Sequence, residues 1–102
     1  MIIDQFNHVL IVGMGKTGFS IVEFLKNKNI SISVYDSKQS IHDIRKKLKG
    51  ISITNYYDGQ LEERYLKNID CIAVSPGIDL RHSVLKNAKK NEIPIINDLT
   101  LF

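Results

Sequence analysis

The sequence predicts an α/β fold built on a five-stranded parallel sheet, and three observations carry that reading. Short apolar runs alternate with helix-like segments along all 102 residues, the pattern of strands joined by crossover helices. Two of these runs, Val9 to Val12 and Cys71 to Val74, are apolar throughout, as parallel strands covered on both faces require. The first run feeds directly into a glycine-rich turn, Gly13-Met14-Gly15-Lys16-Thr17-Gly18. That is the order in which a Rossmann-like three-layer fold builds a phosphate cradle.

Val9 to Val12 forms the first strand. A helix from about Thr17 to Lys28 follows, with Ile21, Val22 and Leu25 on one side, and Asn27 and Asn29 mark its end. Ile30 to Tyr35 alternates apolar and polar residues and reads as the second strand. Ile41, Ile44 and Leu48 give a weaker helical pattern that ends at Gly50. Ile51 to Ile53 is expected as a short third strand at a sheet edge, Asp58-Gly59 as a turn, and Leu61 to Leu66 as a short helix. Cys71 to Val74 is the fourth strand. Ser83 is placed to cap a helix that buries Val84, Leu85 and Ala88. Ile93 to Ile96 closes the set, with Pro94 tolerated at an edge or a strand start. The two wholly apolar strands belong at the centre, which gives strand order 3-2-1-4-5. The chain reverses direction between strands 1 and 4, and ligands bind at the carboxyl ends there.

Composition narrows the class. One domain spanning residues 1–102 is expected, and a chain of this size buries roughly 65% of the surface its unfolded form exposes. The 43% apolar and 25% charged content is that of an ordinary globular protein. No stretch approaches the roughly 20 apolar residues that span a bilayer, and the N-terminus lacks the basic and apolar regions of a secretory signal. Cys71 is the only cysteine and reads as a buried small hydrophobe. A cytoplasmic setting without membrane contact is expected. The net charge of +3 is bunched at Arg45 to Lys49 and Lys86 to Lys90. No aromatic residues are interleaved there as stacking platforms, so these clusters read as solvated helix faces and no nucleic-acid partner is expected.

Gly13, Gly15 and Gly18 occupy the three positions of G-x-G-x-x-G, a pattern that lets a phosphate approach the backbone and the open N–H groups of the following helix. The plain alternative is tight strand–helix packing with no ligand. Gly15-Lys16-Thr17 resembles the end of a P-loop only superficially, because the position that motif reserves for its first glycine is Leu10. Asp36, at the end of the second strand, either contacts a nucleotide or caps the segment beginning near Ser40. Lys38 either neutralises a phosphate or is solvated. Ser75-Pro76-Gly77 makes a rigid turn beside the glycine loop, an ordinary turn on its own. His8, His42 and His82 are scattered without ligand spacing, so no metal site is expected, and no grouping of serine, histidine and carboxylate suggests a nucleophile. The residues describe a binding site and no catalytic machinery.

Three segments together resemble the N-terminal domain of the bacterial MurD ligase family. They are Ile11 to Ser20, Val34-Tyr35-Asp36-Ser37-Lys38, and Ala73-Val74-Ser75-Pro76-Gly77-Ile78, the last followed by Ile93-Pro94-Ile95 and Asp98-Leu99-Thr100-Leu101-Phe102. The resemblance covers almost the whole chain in order, and the Ser-Pro-Gly turn makes it specific. It implies a Rossmann-like domain that binds the UDP part of UDP-N-acetylmuramoyl-L-alanine. Backbone groups of Gly15, Lys16 and Thr17 would hold the diphosphate. Asp36 and Ser37 would contact uracil, Lys38 would lie beside the nucleotide, and Ser75, Pro76 and Gly77 would line the opposite wall. The family often has arginine where Lys38 stands and glutamate where Thr100 stands.

The resemblance also implies central and C-terminal domains that carry an ATP site, metal ligands and the D-glutamate site. With ATP and Mg, the full ligase would activate the L-alanine carboxylate as an acyl phosphate for attack by the D-glutamate amine. The 102 residues alone are expected to be inactive and to carry no cofactor: an isolated domain or a piece of the longer ligase. The rival reading is a free-standing NAD(H)-binding Rossmann domain of a regulatory or redox protein, which shares the glycine loop and acidic residue but has no reason to carry Ser75-Pro76-Gly77-Ile78. A third is a module that binds nothing.

Overall fold

The computed structural model describes residues 2–98. Met1 and Leu99 to Phe102, including most of the terminal match and Thr100, lie outside the described residues.

Five parallel strands form one sheet in the order β3-β2-β1-β4-β5, as predicted. They are β1 (His8–Val12), β2 (Ser31–Asp36), β3 (Asn55–Asp58), β4 (Cys71–Val74) and β5 (Ile95–Asn97). Helices α1 (Lys16–Leu25), α2 (Ile41–Lys47) and α3 (Ser83–Lys90) make the crossovers, with 3₁₀ turns over Ile2–Gln5 and Glu63–Leu66. The alternation of side chains along β1 builds the three layers. Val9 and Ile11 face the cluster that contains Ile21, Val22 and Leu25 of α1 and Ile44 of α2. Leu10 and Val12 face the opposite cluster, with Tyr65, Val84, Leu85 and Ala88. A strand that needs apolar residues on both faces cannot alternate in polarity, which is why β1 and β4 are apolar runs. Cys71 lies fully buried in β4. Burial, with the nearby Asp70 charge in support, pushes its thiol pKa up to about 12, so it serves as a core residue.

Two local expectations are corrected. Ile51 to Ile53 is not a strand: the third strand is Asn55–Asp58, and its ladder starts with Thr54 N–H donating to Ile32 O at 2.7 Å. Ile51 and Ile53 instead pack as loop residues against the first cluster. The cap of α3 is His82, whose Nδ1 accepts from Val84 N–H at 3.2 Å, and Ser83 is the first helical residue. The strand expected from Ile30 to Tyr35 is β2, and its alternation places one polar residue in the core, since Ser33 is fully buried. Its hydroxyl lies 2.7 Å from His8 Nε2 and accepts from Asn55 Nδ2 at 3.3 Å, which satisfies it in place.

Candidate functional site at the carboxyl ends of the strands

The three loops singled out in the sequence meet where β1 lies between β2 and β4. Gly13, just past β1, donates its N–H to Tyr35 O at 2.8 Å on the β2 side. Its carbonyl accepts from Ser75 Oγ at 2.9 Å on the β4 side. Gly13 thus fastens the end of β2 and the loop after β4 to the end of the central strand. Its φ of +99° is one that side-chain-bearing residues rarely adopt, and a Cβ there would lie 3.0 Å from both Ser75 Cβ and Oγ. Ser75-Pro76-Gly77-Ile78 closes as a type II turn, with Ile78 N–H donating to Ser75 O at 3.3 Å and Gly77 at φ +88°. Proline supplies the first central position of such a turn and glycine the second. Pro76 and Gly77 are exposed, and Ser75 is half-buried with its hydroxyl committed to Gly13.

The glycine loop opens α1. Gly15 is the N-cap, no side chain caps the helix, and its first turn holds no acidic residue. The helix therefore presents its leading N–H groups and the positive end of its dipole with no side chain of its own first turn set against an incoming anion. Gly18 is buried, and a Cβ there would collide with the Gly13 carbonyl oxygen. Gly15 differs from both: its φ is −76°, and a Cβ would meet nothing within 4 Å. Two of the three glycines are thus required by the fold, and the third faces open space. Lys16 is exposed beside it and Thr17 is half-buried.

Asp36 sits at the end of β2, and its carboxylate is heavily occupied. Oδ1 accepts from Lys38 N–H at 2.8 Å and Gln39 N–H at 2.9 Å. Oδ2 accepts from Met14 N–H at 2.7 Å and from Gln39 Nε2 at 3.4 Å. Burial alone would raise its pKa, but the N–H donors of Gln39, Met14 and Lys38 outweigh it and hold the carboxyl below its ordinary value. Asp36 caps its own turn, while Ser40 caps α2 by accepting from Asp43 N–H at 3.1 Å. Ser37 and Lys38 are exposed on that turn. The sequence reading missed Met14 and Gln39, whose side-chain amide donates to Met14 O at 2.9 Å. The only available signal was the polar residue three positions after Asp36, the spacing of an Asx-type turn.

Gly15, Lys16 and Thr17 at the start of α1, Asp36, Ser37 and Lys38 at the end of β2, and Ser75, Pro76 and Gly77 after β4 therefore lie at three adjoining strand ends. A groove of about 760 Å³ runs elsewhere, along α3 and the start of β5, past Leu80, Leu85, Lys86, Lys89, Ile93 and Pro94. It shares no residue with the glycine loop. Among the described residues no three His, Cys, Asp or Glu side chains gather as metal ligands, and no helix is long and apolar enough to cross a membrane.

Comparison with known proteins identifies the family. Residues 7–97 match the family model described as Mur ligase MurD-like, N-terminal domain. A UDP-N-acetylmuramoylalanine--D-glutamate ligase of Rickettsia prowazekii is 40% identical over 92 residues, 90% of this chain and 20% of that protein. The enzymes of the same name from Buchnera aphidicola and Haemophilus influenzae are 37% and 31% identical, over 92% and 96% of this chain. The chain spans about one fifth of the length of these relatives. With its sheet order, its three loops and this match in hand, the chain belongs to the MurD-like family of Mur ligases, in the part that forms their N-terminal domain.

Proposed function

We propose that this chain binds the uridine diphosphate part of UDP-N-acetylmuramoyl-L-alanine, as the N-terminal domain of the cytoplasmic ligase that adds D-glutamate during peptidoglycan synthesis. The observation that carries the proposal is Gly15. Neither backbone strain nor a packing neighbour requires glycine there, whereas a diphosphate approaching the uncapped start of α1 would. In this reading the N–H groups of Gly15, Lys16 and Thr17 hold the diphosphate, and Lys16 and Lys38 add positive charge around it. Asp36 and Ser37 form the uracil end. The carboxylate of Asp36, already taken by four donors, serves by holding the turn that presents Ser37 and Lys38. Ser75, Pro76 and Gly77 form the opposite wall, rigid because the type II turn is pinned to Gly13.

ATP with Mg supplies the activation of the carboxylate in the full ligase, and the residues for it belong to central and C-terminal domains. The part of this chain is to bind and orient the nucleotide handle. Titration by ligand-observed NMR with UDP, NAD and ATP tests the proposal. UDP should bind tightest, weakly because the sugar and peptide contacts lie in other domains. NAD binding tighter than UDP would favour the free-standing dinucleotide domain instead.

A further inference from the structure

Among the described residues, one buried side-chain oxygen or nitrogen has no hydrogen-bond partner: Gln39 Oε1. An unpaired buried acceptor is costly, and what the rest of the Gln39 amide does accounts for its being kept. Nε2 donates to Met14 O at 2.9 Å and to Asp36 Oδ2 at 3.4 Å. Both partners are acceptors only, so chemistry fixes the amide orientation: reversed, it would set its oxygen against a carbonyl and a carboxylate. Asp36 Oδ2 also accepts from Met14 N–H at 2.7 Å. The circuit closes, and the N–H and C=O of Met14 are both held by side chains from one turn, 22 and 25 residues away in sequence.

Met14 sits between Gly13 and Gly15, residues without a Cβ to restrict their torsions. The Met14 peptide groups therefore decide where Gly15 and the first N–H groups of α1 point. We infer that Gln39 is a positioning residue for the diphosphate: by gripping the Met14 carbonyl, with Asp36 on the Met14 N–H, it holds the glycine loop in its binding geometry before the ligand arrives. This inference rests on the diphosphate reading above. It differs from a general structural role because Gln39 is only partly buried and its side-chain amide is spent on Met14 and Asp36 beside the glycine loop.

The test uses the 102-residue chain, with two variants beside the wild type. Gln39→Met keeps the volume while removing both donors and the unpaired oxygen. Its thermal midpoint should stay close to that of the wild type, because losing the unpaired oxygen offsets leaving the Met14 carbonyl without its donor, and UDP and pyrophosphate should both bind about five- to tenfold more weakly, the scale of one ordering hydrogen bond. Gln39→Glu places a carboxylate against the Met14 carbonyl and Asp36, the ionisable group in contact with Gln39. Relative to wild type at each pH, its UDP binding should be poorest at pH 8. It should recover as acidification protonates the new carboxyl and restores a donor to Met14 O. Wild-type affinity in Gln39→Met, or a loss of affinity matched by a fall in thermal midpoint in both variants, would overturn the inference. Amide hydrogen exchange at Gly15 and Lys16 needs no ligand and should quicken in Gln39→Met; unchanged exchange would also overturn it. Failure of the wild type itself to bind UDP would instead remove the diphosphate reading.

Discussion

At Gly18 an added methyl would run into the Gly13 carbonyl oxygen, and at Gly13 it would meet Ser75 on a backbone with φ of +99°. At Gly15 it would meet nothing. Three alanine substitutions should therefore separate fold from function within one motif. Gly18→Ala should cost about 1–3 kcal/mol or more by overpacking, and Gly13→Ala about 1–3 kcal/mol in backbone strain. Gly15→Ala should leave stability within about 0.5 kcal/mol. Gly15→Val should abolish binding of UDP and UMP alike in a folded protein. Urea denaturation paired with UDP titration reads both quantities, and undiminished UDP binding by Gly15→Val would mean that no phosphate passes there. Asp36→Asn makes a second residue-scale contrast. The amide oxygen can keep the Lys38 and Gln39 N–H bonds, but its NH₂ then faces the Met14 N–H, donor against donor. The loss should be on the order of 1–3 kcal/mol, falling on UDP and pyrophosphate equally and leaving preference for UDP over CDP unchanged. Loss of that preference, measured by calorimetry, would show that the Asp36 carboxylate reads the base directly.

Among the elements, capping offers the sharpest prediction. α3 starts at a histidine whose Nδ1 accepts from Val84 N–H, so His82→Ala should cost about 1 kcal/mol and His82→Asn should restore most of it. Ser83→Ala, at the first helical position, should do little, and equal effects at the two positions in urea denaturation would return the cap to Ser83. The histidine cap escaped the sequence because serine is the expected residue type, and only geometry separates neighbouring positions. β3 escaped for a different reason. Its residues, Asn55-Tyr56-Tyr57-Asp58, are all half-buried, because an edge strand pairs on one side only. The more apolar Ile51 and Ile53 nearby spend their side chains on loop packing. β4 was legible to the residue, since a strand enclosed on both faces must write its burial into every position. The candidate site divides in the same way. Its glycines and the Ser75-Pro76-Gly77 turn are local backbone demands, visible in a short window of sequence. The grip of Gln39 on Met14 spans 25 residues and joins a side chain to a main chain, so no local pattern announces it.

For the molecule as a whole, the two ends of the sheet respond to acid in different pH windows. At the amino ends, His8 Nε2 lies against the buried Ser33 hydroxyl. Burial lowers the His8 pKa below its ordinary 6.5, against the opposing pull of Asp70 and the Asn68 backbone. On acidification the unfolded chain therefore takes up a proton near pH 6.5 before the folded protein does, so stability falls as pH drops through that value and on towards the folded pKa. At the carboxyl ends, Asp36 is held below its ordinary 3.8. Its contribution is present above that value and is lost only as pH falls through the lower, folded pKa. Both groups make the unfolded state the better proton acceptor, so they act in the same direction and in sequence, His8 first. Urea midpoints should drop between pH 7.5 and pH 5.5 in the wild type and stay nearly level in His8→Gln, which keeps a polar group near Ser33 and cannot charge. Over the same interval UDP binding should change equally in the two proteins, because His8 is at the far end of the strand from the glycine loop. A wild-type midpoint that holds steady from pH 7.5 to 5.5 would mean that His8 takes up its proton without leaving the Ser33 contact. The acid sensitivity of the fold would then begin at the carboxylates, Asp36 among them, where loss of the Met14 N–H bond would couple unfolding to loss of the nucleotide site.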